Sequence, residues 1–90
     1  MTPLDSFDQA VSEYFVQLPA MEGVQPYHGE DYRILFSNLR KAFLSGNLNE
    51  FMDIRASWTR YVIDAPHEQP AANLKIDDAV YRMRDELRKL

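Results

Sequence analysis

Residues 31–65 read DYRILFSNLRKAFLSGNLNEFMDIRASWTRYVIDA, and this stretch decides the fold class. Tyr32, Leu35, Phe36, Leu39, Ala42 and Phe43 recur every three or four positions, the spacing of one face of an α-helix. Gly46 is a left-handed stop, and Arg40 and Lys41 suit the negative end of the helix dipole. Asn47 then opens a second periodic run as a cap, with Glu50 three residues on as its reciprocal partner. In that run Phe51, Ile54, Trp58, Tyr61, Val62 and Ala65 form the apolar face, and Pro66 ends it. Helices over 31–45 and 47–64, joined by so short a link, must fold back as an antiparallel hairpin.

Upstream, Thr2 and Pro3 are a cap and a preorganised first helical residue, with Asp5 at the capping-box position. Leu4, Phe7, Val11, Tyr14, Phe15 and Leu18 make one stripe, so a helix is expected over 3–18, closed by Pro19. Residues 19–30, PAMEGVQPYHGE, hold two prolines and two glycines and are expected to be a loop. Downstream, PHEQPAAN over 66–73 is a second expected loop. Ile76, Val80, Met83, Leu87 and Leu90 then mark a helix over 75–89. Asp78 with Arg82, and Asp85 with Lys89, stand in the acid-before-base order that stabilises a helix surface. The expected architecture is therefore all-α: one domain spanning 1–90, a small bundle of four helices with a central antiparallel hairpin.

The chain of 90 residues lacks cysteine, so disulfides and thiolate chemistry play no part. By surface scaling, a folded chain of this mass exposes about 5,400 Å², and its core is just sufficient for one domain. That marginal size makes a partner protein or a homodimer plausible. The N-terminus shows no basic region followed by an apolar run, and no stretch is apolar enough to span a membrane, so a cytoplasmic location is expected, in a cell or a virus-infected host.

The net charge of −4 is unevenly spread. Residues 1–31 carry six acids and no base, whereas the remainder carries eight acids and ten bases. General phosphate binding needs clustered positive charge, which this chain lacks. A helix-turn-helix reading is nevertheless available. The helix over 47–64 would display Asn49, Asp53, Arg55, Ser57 and Arg60, with Arg40 and Lys41 on phosphates and the last helix dimerising. Against it, Glu50 and Asp53 stand at the end such a helix offers to bases.

Motifs of catalysis are missing. There is no nucleophile elbow, phosphate loop or dinucleotide fingerprint, and no cofactor is implied. His28 and His67 fall in the two expected loops, read as exposed residues outside any metal-ligand spacing. The acid pairs Glu30–Asp31, Asp77–Asp78 and Asp85–Glu86 lie at a helix start or on solvated faces. A bundle this small leaves little room for the 300 Å³ or so that a small substrate occupies.

The expected function is thus non-enzymatic: a small regulator, inhibitor or assembly factor that docks on a larger protein with a basic surface. The nominated contact residues are Met21, Glu22, Val24, Tyr27, Glu30 and Asp31, which combine acid charge with apolar side chains in the 19–30 segment and at the start of the helix after it.

Overall fold

A computed structural model describes residues 1–90 as four helices without strands: α1 (Pro3–Gln17), α2 (Pro26–Leu44), α3 (Leu48–Asp64) and α4 (Ala72–Arg88). The caps read from the sequence are present. The Asp5 N–H donates to Thr2 Oγ1 at 3.1 Å, and the Glu50 N–H donates to Asn47 Oδ1 at 3.0 Å. Gly46 adopts φ +71°, the left-handed turn that reverses the chain between α2 and α3. Pro19 ends α1 less abruptly than expected: Leu18–Ala20 continue as one 3-10 turn, closed by the Met21 N–H on the Leu18 carbonyl.

Three expectations need correction. First, α2 begins at Pro26 rather than 31, so residues 26–30 belong to a helix and only 21–25 form the connection. Pro26 takes the first helical position, and His28 closes the cap. Its Nδ1 accepts from the Gln25 N–H at 2.8 Å while its own N–H donates to the Gln25 carbonyl at 3.0 Å. Second, α4 begins at Ala72 rather than 75, because its first turn is capped from another helix: Gln17 Oε1 of α1 accepts from the Ala72 N–H at 2.9 Å. Third, His28 and His67 are buried, 7% and 9% exposed, and are not surface loop residues.

The topology is up-down-up-down. The α2–α3 hairpin forms as expected, but the most extensive packing is between the terminal helices α1 and α4, which run antiparallel. Gln17 meets Ala72, and Glu13 pairs with Lys75 at 2.8 Å. Asp8 of α1 pairs with Arg40 of α2 at 3.0 Å, fixing those helices antiparallel as well. Sixteen buried apolar residues make one continuous core, including Phe7, Tyr14, Phe36, Leu39, Phe51, Trp58, Ile76 and Met83. Trp58 is its centre, with its ring centroid 5.8 Å from Tyr14, 5.4 Å from Tyr32 and 4.7 Å from Phe36, all edge-on. The buried indole N–H has no partner within hydrogen-bond distance. The carboxyl of Asp77 on α4 is held above its ordinary range by desolvation, opposed by the Trp58 indole, which lies near it without reaching hydrogen-bond geometry, and by Arg55.

Some stripe residues behave differently from their spacing. Tyr61 is half exposed on α3, and Leu90 lies beyond the end of α4 at 87% exposure, whereas Ala10, Ala72 and Ala79 join the core. Of the expected ion pairs on α4, Arg82 meets Asp78 at 2.8 Å, but Asp85 turns to its neighbour Arg84 at 3.2 Å instead of Lys89. The accessible surface of 5555 Å² is close to the roughly 5,400 Å² that surface scaling gives for a closed monomer of this mass. No helix is long and apolar enough to cross a membrane.

Candidate binding cleft at the tyrosine end of the bundle

One end of the molecule gathers the start of α2, the last turns of α3 and the segment 65–71. Pro26 and the His28 cap fix the first turn of α2, which puts Tyr27 and Asp31 one turn apart on the same helical face. On α3, Ser57, Arg60, Tyr61 and Asp64 repeat at helical spacing and form the opposite wall. Between the walls is an open cleft of about 570 Å³, floored by His28 and Tyr32 and bounded by Ala65 and Pro66. Its size corrects the expectation of little room. The cleft is open at the surface, between the start of α2 and the end of α3, and the core beside it remains one continuous cluster.

Beneath the cleft is a buried polar chain. His67 Nδ1 is 2.6 Å from the Glu68 carbonyl, which can only accept, so Nδ1 carries the proton. In the neutral ring Nε2 is then an acceptor, and the Tyr32 hydroxyl donates to it at 2.7 Å. The Tyr14 hydroxyl donates to Gln69 Oε1 at 2.9 Å, and the Gln69 amide lies beside the Tyr32 oxygen. Burial pushes both phenols above their ordinary range, with Tyr14 most affected and Tyr32 adding to it. The His28 ring packs 4.7 Å from the His67 ring, with its Nδ1 already committed to the α2 cap. A backbone bond from the Glu68 N–H to the Glu22 carbonyl, 3.2 Å, ties the two connections together.

Scans against family models, curated proteins and solved structures return no match. The chemistry of this end of the bundle therefore rests on its own residues.

The six nominated contact residues divide among different surfaces. Tyr27 and Asp31 line the cleft. Glu30 is exposed on α2, and Glu22 is exposed in the connection with its carbonyl committed to Glu68. Val24 turns toward the core and a smaller groove beside Phe15 and Arg33, while Met21 is half-buried. The six acids of residues 1–31 are also divided, since Asp8 and Glu13 are neutralised by Arg40 and Lys75. Asp5, Glu22, Glu30 and Asp31 have no ion-pair partner.

Of the residues displayed in the helix-turn-helix reading, Asn49, Asp53 and Arg60 are exposed, Arg55 and Ser57 are half-buried, and Arg40 is engaged by Asp8. Chemically, the histidines and Ser57 are occupied with structural bonds. The Ser57 hydroxyl donates to the Asp53 carbonyl at 3.3 Å, and neither imidazole meets a serine or a carboxylate. No group of three histidine, aspartate or glutamate side chains converges as a metal site.

Residues 57, 60, 61 and 64 were not picked out from the sequence as one wall of a site. In the sequence Arg60 and Ser57 stand among the residues a recognition helix would display, and Tyr61 stands on the apolar face. The missing information was the α2 start. Once Pro26 opens the helix, Tyr27 and Asp31 necessarily face the C-terminal turns of an antiparallel α3.

Proposed function

We propose that the protein is a small non-enzymatic binding protein that docks on a larger protein through the cleft between α2 and α3. The observation that carries this reading is the pair of exposed tyrosines, Tyr27 at 58% and Tyr61 at 48%, on opposite walls of a cleft with charged groups at its edge. Tyrosines are over-represented at protein interfaces because one rigid ring buries a large area while its hydroxyl still finds a partner. Both are held on helices over a buried, hydrogen-bonded floor, so the surface is preorganised and loses little conformational freedom on binding. Action by occlusion of a partner surface, as a regulator, inhibitor or assembly factor, is in keeping with a domain whose histidines and Ser57 are engaged in structural bonds.

The test is affinity capture from the cells that make the protein, with quantitative mass spectrometry. Tyr27→Ala with Tyr61→Ala is expected to lose a protein that the wild type retains, while Ile63→Ala, on the exposed far side of α3, retains it. Identical captured sets for wild type and double variant would refute the docking role of the cleft.

A further inference from the structure

The cleft's lining says what kind of group it accepts. Tyr27, Tyr32 and Tyr61 contribute to its walls and floor, with Tyr32 and Tyr61 packed edge to face at 6.3 Å between ring centroids. Two carboxylates, Asp31 from α2 and Asp64 from α3, line it from opposite sides. Neither has an ion-pair partner within 4.0 Å, although Arg60 also lines the cleft. Asp64 is moreover the final residue of α3, where the helix dipole is negative and the last turn holds no basic side chain. Each of these features is relieved by a positive charge, and aromatic rings add attraction for a cation seated over them.

We propose that the cleft receives the ammonium or guanidinium head of a lysine or arginine side chain on the partner protein, a proposal that rests on the docking role of this same site. The cation's aliphatic stem would lie between the Tyr27 and Tyr61 rings, with its head between Asp31 and Asp64. Two carboxylates against one guanidinium leave the lining net negative, so the match is to a basic partner surface. Arg60 opposes the incoming charge. Its presence moderates affinity and makes a sharp prediction, because removing it tightens binding if the cleft selects cations.

The probe is a blocked pentapeptide with one central lysine, titrated at low salt and followed by amide chemical shifts. The control carries norleucine in place of the lysine. The lysine peptide is expected to shift amides within 27–32 and 57–65 saturably, and the norleucine peptide to leave them unmoved. Asp31→Asn and Asp64→Asn should each weaken the lysine peptide by roughly two- to fivefold, the range of exposed charge pairs. Arg60→Gln should tighten it by a similar factor. Unchanged amide dispersion in each variant shows that the fold is kept. If the norleucine peptide binds equally, if the lysine peptide causes no saturable shift, or if Arg60→Gln weakens binding, the cation assignment is overturned. Tyrosine-dependent capture together with a silent lysine peptide would remove the cation assignment and leave the docking role standing. Capture that ignores the tyrosines would remove the docking role itself.

Discussion

Tyr14 and Tyr32 show how single residues set the character of this domain. Each places a phenol in the interior and satisfies it there, Tyr14 on Gln69 Oε1 and Tyr32 on His67 Nε2. Burial raises both phenols above the ordinary 10.0, so the folded chain keeps protons that the unfolded chain releases. The sign follows from linkage. Their contribution is fully present below pH 10 and falls as pH rises further, because the unfolded state then binds fewer protons. Tyr14→Phe is expected to cost about 1–2 kcal/mol at pH 7, through the lost bond and the acceptor it strands. Toward pH 12 the two proteins should converge, because the variant has one fewer raised phenol to ionise. Denaturant unfolding at pH 7 and at pH 11 measures this, and a gap that stays constant across the range would contradict it. Little of this was legible in the sequence. Tyr14 was recognisable as a core residue from its spacing, but its hydroxyl partner lies fifty-five positions away. His67 does lie in a loop, but it looked exposed because nothing local says that the Tyr32 hydroxyl and the Glu68 carbonyl hold its ring inside.

At the scale of elements, legibility followed the locality of the signal. The α1 start, the α3 start and the Gly46 reversal were readable because cap and capped group lie within a few residues. The α4 start was misplaced by a turn because its cap, Gln17, belongs to α1. The α2 start was misplaced because His28 is not among the customary capping residues and Gly29 reads as a breaker, although in the helix nothing crowds it. That single shift hid half the cleft. Gly23 and Gly46 offer a comparison of two turns. Both have positive φ, +85° and +71°, so alanine at either position is strained. At Gly46 an added Cβ would meet only the flexible end of Leu90 at 3.4 Å, and Gly46→Ala should cost about 1 kcal/mol. At Gly23 it would come within 2.9 Å of the Pro66 carbonyl oxygen. Gly23→Ala must therefore push the two connections apart and should be the more destabilising, with faster hydrogen exchange at the Glu68 amide. Equal losses from the two variants would show that the contact between the connections contributes nothing.

At the scale of the whole molecule, the separation of charge in the sequence is only partly offset in space, for two of the six acids in residues 1–31. Asp8 and Glu13 of the acidic front third are matched to Arg40 and Lys75, so they hold helices together and present no negative field. The front third's only acid in the cleft is Asp31, joined there by Asp64 from another part of the chain. The core is closed: of the residues that mark the last helix in the sequence, Ile76, Val80, Met83 and Leu87 are buried in the monomer and only Leu90 is exposed. Two exposed tyrosines, Tyr27 and Tyr61, and two carboxylates without ion-pair partners, Asp31 and Asp64, meet at one end, where α2 begins and α3 finishes, and this is the proposed docking surface. A photo-crosslinking amino acid placed at position 61, with position 16 on the exposed outer face of α1 as control, tests this most directly in the cells that make the protein. The account predicts a discrete protein adduct from position 61 that is lost on adding Tyr27→Ala, and none from position 16. Adducts from position 16 alone, or an adduct at 61 that ignores Tyr27, would contradict it.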